Sequence, residues 1–420
     1  MITPNPRTRV SRGRTFDALL RFRDYRFLWT ASFCANSAQW IQILSVGWLV
    51  RALTESSGFS GFLVVTVGGL STLPVLVVGP WGGVLGDRVN RRKLVIGIQS
   101  FMGVTAVLFS LLVFSGRVEW WHAYLYVLLN GICRSVNQPL RQALIANTVP
   151  REVLINAYAT NVLTITGTRI IGPFLGGVLI ATLGFAWNFA LEGIFYFCAV
   201  LCLIPMKTPY YQVVSSAITH SPLADLKEGI RYIWRQERVI LNLMVLGLIP
   251  NIVLHPVWFI LPVFTAEVLH QNADVGGYLL AITGVGGLVA ALVIASKGFV
   301  FRRGIVLFGA VAMSAISVIL FSQFPWLSAA LLLIGLMAFA QTMYRTAAGA
   351  VIQLLVPDTL RSRVTSLQSY SQGFLILSSL LVGWYVDLTT VSTAILTLGV
   401  AALVLLGLSS VIFKRVRQLT

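Results

Sequence analysis

Acidic residues are scarce in this sequence. Only 14 of 420 residues are Asp or Glu, against 31 Lys and Arg, and the four types together make up 11%. A water-soluble domain carries roughly 25% charged residues, so this chain cannot cover a surface that faces water. Cysteine is equally sparse: Cys34, Cys133, Cys198 and Cys202 lie inside apolar stretches with no histidine at metal-ligand spacing. That pattern excludes a disulfide framework and a metal cluster, and leaves small buried hydrophobes. A phosphate loop of the form GxxxxGK[ST] is missing, which argues against an ATP-driven pump within the chain. The run GVGGLV (284–289) follows no strand and belongs to an apolar helix, not to a dinucleotide loop. With no nucleophile–base pair either, neither an enzyme nor a cofactor is expected.

What the chain has instead is apolar length. Hydrophobic residues make up 57% and the mean hydropathy is +0.83. A bilayer crossing takes about 20 apolar residues, and the hydropathy pattern predicts an all-α integral membrane protein of about twelve spans. They fall near 27–50, 60–85, 93–115, 120–146, 155–183 and 187–206, then 239–268, 275–296, 304–322, 326–353, 363–386 and 391–413. The longest polar stretch, 207–238, separates two sets of six. Within it, Ser221-Pro222 before LADLKEGIRYIWRQE predicts a capped amphipathic helix. The expected organisation is a six-helix bundle over 1–206, a cytoplasmic linker over 207–238 and a second six-helix bundle over 239–420.

The net charge of +17 does not point to nucleic acid, because the basic residues sit in short clusters between spans, as topology signals do. Counting from the N-terminus, 26 of the 31 fall on the N-terminal side when Arg141 and Arg151 are placed in the fourth–fifth connection. Arg51 and Arg117 fall on the other side, and Arg134, Arg169 and Arg345 lie within spans. Both termini are therefore expected in the cytoplasm of a bacterium, with the chain in the plasma (inner) membrane. Seven arginines precede the first span, which lacks a cleavage site and is too long for a signal peptide. Trp120, Trp121, Trp187 and Trp326 fall at the expected outer interface, as an aromatic belt does. The halves also look duplicated: an offset of 207 lays RQALIANTVP (141–150) over AGAVIQLLVP (348–357) and Gly176 over Gly383. Two parallel repeats place a substrate site at the midplane between them.

Two motifs carry a mechanism. GGVLGDRVNRRK (82–93) sets a glycine pair and Asp87 among Arg88, Arg91, Arg92 and Lys93 at the end of the second span. It resembles the G-x-L-a-D-r-x-x-R-R/K loop of the major facilitator superfamily, which implies a charge network of Asp87, Arg88 and Arg92, with Gly83 in the motif, that locks one access state. GTRIIGPFLGGVL (167–179) in the fifth span supplies Gly172, Gly176 and Gly177 around Pro173, a combination that lets helices pack closely and bend. With Arg169 it resembles the antiporter motif of drug–proton exporters in that superfamily, which implies export. LLRFRDYRFLW (19–29), GWLVRALTESS (47–57), NQPLRQALIANTVPREVLINA (137–157) and VIQLLVPDTLRSRVTS (351–366) are similar to the branch of bacterial enterobactin (siderophore) exporters and macrolide-type efflux proteins. The resemblance implies alternating access between two pseudo-symmetric bundles by a chain that works as a monomer.

Ionisable groups at membrane depth cost at least about 2.5–3.5 kcal/mol to insert and are functional candidates by default. Arg134 and Gln138 share a helix face, and the repeat offset pairs them with Gln341 and Arg345 in reversed order. Together with Gln39 they are expected to line a cavity for an anionic or oxygen-rich small molecule. Arg345 can equally snorkel, and Arg169 can serve its helix rather than a substrate. Glu192 is the one carboxylate well inside a span and the candidate proton carrier. Relatives of this branch place an acid in a first-span pattern like S-N-x-G-D-W, where this chain has ANSAQW (35–40) with Gln39 in the acidic slot. Asp87, Glu267 and Asp387 are the other acids in contention, and His255 before Pro256 suits a freed carbonyl at a kink. The expected function is proton-coupled export of an amphipathic organic molecule of drug, macrolide or siderophore type. A proton-independent facilitator of a lipid-like or sugar-like solute and a non-transporting sensor or subunit on the same fold are the alternatives.

Overall fold

The computed structural model describes residues 16–79, 89–210, 230–231, 233–234, 238–297, 303–357, 364, 367 and 371–417. Among them there are helices and turns and no strand, as lipid requires of a chain that does not close into a barrel. A short α1 (Asp17–Arg21) leads into α2 (Arg23–Thr54), α3 (Ser60–Leu70, continuing to Gly79 within its span), α4 (Arg91–Phe114), α5 (Trp120–Thr148), α6 (Leu154–Leu183) and α7 (Phe185–Leu203). The second half runs through α8 (Arg238–Leu248), a π turn (Ile249–Val253), α9 (Val257–Glu267), α10 (Ala273–Lys297), α11 (Arg303–Gln323), α12 (Leu327–Leu355), α13 (Leu375–Leu388), α14 (Val391–Ile412) and a short α15 (Lys414–Arg417).

Ten of the segments are long and apolar enough to cross a bilayer. Two more, α2 with 32 residues and α5 with 29, have the length but are more polar. Their polarity has a cause: these are the helices that carry Asn36, Gln39, Arg134, Gln138 and Arg141. The seventh span is one continuous apolar stretch (Arg238–Glu267) broken by the π turn at Pro250 and the turn before Pro256, since proline cannot continue the backbone ladder. Of the expected linker helix, Ile230, Arg231, Ile233 and Trp234 are helical, and the rest of 211–237 lies outside the described residues.

The helices pack as two six-span lobes. In the first, α2 contacts α6 and α7, and α4 contacts α7. In the second, α12 contacts α10 and α11, and α11 contacts α14. The lobes meet along α6 with α10 and α3 with α13, the fifth span on the eighth and the second on the eleventh. That arrangement is what a twofold relation between halves produces. The first lobe is held by an aromatic cluster in which Phe109 stacks on Tyr126 at 4.4 Å and meets Phe189 edge-on at 4.7 Å. Both described ends of the chain lie on one face, here the terminal face, and Trp120, Trp121, Trp187 and Trp326 are exposed near the other.

Candidate functional site

Between the lobes lies a cavity of about 300 Å³, lined from α2, α3, α5, α6, α9, α12 and the segments around them. Its walls carry four arginines, Arg134, Arg141, Arg169 and Arg345, with His255 beside them. Among the described residues no Asp or Glu lines it. Each guanidinium is anchored where the structure defines a partner. Arg134 donates to the Ser71 carbonyl at 3.1 Å, where α3 ends in a turn. Arg141 donates to Asn36 Oδ1 at 2.8 Å and to the Ser32 carbonyl at 3.3 Å. Arg169 crosses between lobes, donating to Thr283 Oγ1 at 3.1 Å, with its guanidinium carbon 4.3 Å from the Trp258 ring centroid and 5.5 Å from that of Trp40. These partners are neutral, so the positive charge of the cavity is not cancelled within it. Arginine presents five donors in a fixed fork suited to carboxylate and other planar oxygen groups.

Gln39, Arg134, Gln138, Arg169 and Arg345 all reach this cavity. Gln341 does not. It is buried at 5% exposure with Nε2 unpartnered, because it sits one turn further from the terminal face than Arg345, where neighbouring helices have already closed in. Arg141 is the converse case. The sequence count places it in a connection, yet it lies two turns inside α5, buried in the cavity wall. The signal was present: Arg134, Gln138, Arg141 and Gln142 follow i, i+4, i+7, i+8 spacing, a polar stripe on one helix face. His255 lines the cavity too, stacking on Trp258 at 4.7 Å instead of serving the kink behind it.

Towards the opposite face the lobes close on each other. A Cβ added to Gly177 would lie 2.9 Å from the Ala273 carbonyl oxygen and 2.9 Å from Gly277 Cα, so α6 and α10 touch backbone to backbone. Gly172 and Gly176 turn the other way, onto Trp40 and Leu44 of α2, while Gly167 faces open space. The glycine-proline motif thus serves two interfaces, one within the lobe and one between lobes. Nearby, Asp387 at the end of α13 accepts from the Phe62 amide of α3 at 2.9 Å, a carboxylate at a helix N-terminus, where the dipole favours it. Of the expected charge network, Gly83, Asp87 and Arg88 lie outside the described residues. Arg92 donates to the Leu203 carbonyl at 2.9 Å and to the Ile204 carbonyl, satisfying the C-terminal end of α7.

The sequence model of the transmembrane secretion effectors, a branch of the major facilitator superfamily, matches residues 15–419. The chain belongs to this family of membrane transporters. It is 24% identical over 393 residues to the staphyloferrin A transporter of Staphylococcus aureus, covering 90% of this chain and 93% of that one. It is 27% identical over 312 residues to the enterobactin exporter EntS of Shigella flexneri, covering 70% and 72%. A solved transporter of the POT family, in complex with a thioalcohol-conjugated peptide, has the same fold, with a TM-score of 0.76 at 9% identity over 94% of this chain and 97% of that one. The protein is a multi-pass secondary transporter.

In this secretion effector Glu192 stands apart from the cavity. It is wholly buried inside the first lobe, and neither carboxylate oxygen has a hydrogen bond of normal geometry. Tyr126 lies beside it and also beside Gln42 of α2. No described cation pairs with it: the two ion pairs among the described residues are Arg21–Asp17 and Arg51–Glu55.

Proposed function

We propose that this transporter exports a small anionic, amphipathic organic molecule in exchange for protons, by alternating access. The observation that carries the substrate reading is the cavity itself: four arginines with no carboxylate among the described lining residues. Charge of one sign in a space walled by protein attracts and holds the opposite sign. Of the drug, macrolide and siderophore types, an acidic siderophore suits such walls best, and the two relatives carry names of that kind. The terminal face is cytoplasmic: Arg91, Arg92, Lys93, Arg151, Lys207 and Arg238 border it at the span ends. The working unit is one chain in the bacterial inner membrane, with lobes at 1–206 and 239–420 joined by the 207–238 linker. Closure of α6 on α10 and α3 on α13 at the outer side corresponds to one access state, and the Asp87, Arg88, Arg92 network secures the other.

Glu192 is the proposed proton carrier, reached through Gln42 and Tyr126. A second reading has its own support. Glu192 is walled off from the cavity, and Gln39 fills the first-span slot where an acid would sit, which favours a facilitator that uses no protons.

The deciding experiment is transport of a dye and siderophore panel in inverted membrane vesicles, with and without a proton gradient, for wild type and Glu192→Gln. Gradient-driven uptake of anionic members, lost in Glu192→Gln, is the expected result. Gradient-driven uptake that survives discards Glu192 as carrier, and uptake indifferent to the gradient supports the facilitator. Preference for cationic or neutral members overturns the anion reading.

A further inference from the structure

The close seam between α6 and α10 does not end at Gly177 and Gly277. Eight residues earlier in α6, about 12 Å along the helix, Arg169 and Ile170 meet Gly284 of α10. A Cβ added to Gly284 would lie 2.6 Å from Ile170 Cγ1 and 3.0 Å from the Arg169 carbonyl carbon, so glycine is what lets the two helices approach there. A Cβ added to Gly287 would stand 3.7 Å from Arg169 Nη1. The run GVGGLV (284–289) thus clears a berth on the second lobe for an arginine of the first. The rest of that berth is Thr283, which accepts from Arg169 Nε at 3.1 Å, and the ring of Trp258 at 4.3 Å.

Two features make this contact releasable. The berth offers a hydroxyl, an indole face and glycine backbone, and no charge. Hydrogen bonds to an ionised acceptor are roughly twice as strong as neutral ones, so a carboxylate that reaches Arg169 outcompetes the berth. Arg169 is within reach, because it also lines the cavity. Arg345 of the second lobe lines the same cavity and stands near enough to repel it. Among the described lining residues no acid relieves that repulsion. An anion held between the two guanidinium groups turns repulsion into attraction.

We propose that Arg169 is a latch between the lobes that the substrate itself releases. Seated on Thr283, Gly287 and Trp258, it fastens the inner end of the outer seam. The anionic group of the substrate, bound between Arg169 and Arg345, draws it off that seat, so loading the cavity unfastens the opposite side. This rests on the proposed reading of the arginine-lined cavity as the anion site.

The test pairs calorimetry with distances between spin labels at Ser56 and Gln271, exposed positions of the two lobes, on the full-length protein in lipid nanodiscs with its four cysteines replaced. The probes are succinate and its uncharged counterpart succinamide. Wild type without a probe should show mainly the short distance. Succinate should raise the longer-distance population about fivefold or more, and succinamide should not. Arg169→Gln should show the longer population with no probe present and gain nothing further from succinate. Thr283→Val, which removes only the hydroxyl acceptor, should fall between the two, and it carries the comparison if Arg169→Gln does not fold. A variant distribution that matches wild type, or succinate that binds wild type without lengthening the distance, overturns the latch alone. If succinate does not bind, or binds Arg134→Gln as it binds wild type, the anion reading falls and takes this inference with it.

Discussion

Alanine at position 177 is a small change with a conformational consequence that can be worked out from the helix geometry. The new methyl carbon would stand 2.9 Å from the Ala273 oxygen and from Gly277 Cα, and 3.1 Å from Asp274 Cα, all backbone atoms of α10 in the opposite lobe. Carbon contacts are comfortable at about 3.5–4.0 Å, so α6 and α10 must separate by roughly 0.6–1 Å. Backbone cannot rotate away as a side chain would. Overpacking of this kind costs about 1–3 kcal/mol, and the cost falls only on the arrangement in which the lobes are closed at this face. A bias of that size shifts a two-state equilibrium by about 5–150-fold. Gly172→Ala is the informative contrast. Its methyl would meet Trp40 Cβ at 2.7 Å within the same lobe, so it should lower thermal stability without favouring either access state. Gly167→Ala meets nothing within 4 Å and serves as the silent control. The assay is the distance between spin labels at Ser56 and Gln271, exposed positions of the two lobes near the closing face, in a background with the four cysteines replaced. Gly177→Ala should add a longer-distance population absent from both controls. A distribution matching Gly167→Ala would refute the claim that this glycine holds the closed side together.

Three further outcomes follow from the same contacts. Asp387→Asn keeps an acceptor for the Phe62 amide but removes the charge at the N-terminus of α3, an interaction of about 0.3–1 kcal/mol; the same spin-label pair should show a two- to fivefold loss of the closed population, and Asp387→Ala a larger one. Arg141→Gln removes two hydrogen bonds, to Asn36 and Ser32, and one positive charge from the cavity, so vesicle uptake of an anionic substrate should show a KM raised about tenfold or more, whereas Arg141→Lys should recover part of the loss. Arg92→Ala frees the carbonyls of Leu203 and Ile204 at the end of α7; it should cost about 1–2 kcal/mol of stability, read as a lower Tm of the purified protein, because hydrogen bonds to a charged group contribute about 1.5–3 kcal/mol each when buried and less when exposed.

Much of this molecule is legible in its sequence for a reason that belongs to the solvent. In hydrocarbon every backbone amide must be satisfied within its own segment, so an apolar run of span length can only be a helix, and its ends follow from where polarity returns. The expected span at 391–413 and the observed α14 (Val391–Ile412) differ by one residue. The same logic marks Arg134 and Arg345 as candidates for a polar space, since charge at that depth is costly, but it leaves Arg345 free to snorkel and Arg169 free to serve its own helix; in the structure all three border the cavity. Hydropathy reports depth and helical period, but it does not report which neighbour a face meets or how near that neighbour stands. Gln341 and Arg345 lie on one stripe of α12, and only the approach of other helices buries the first and opens the second to the cavity. Arg141 reads as a loop cation until α5 is seen to continue past it to Thr148. Glu192 is marked by its depth, but its full burial away from the cavity is a matter of helix packing within the lobe. Asp387 on α13 and Phe62 on α3 are 325 residues apart, and no local pattern brings a carboxylate to a distant helix end. Composition and periodicity determined the helices, their number and the sign of the charge they bury. Only the packing of one lobe against the other, a sum of contacts between residues far apart in the chain, decided which charges share a cavity and where that cavity is closed.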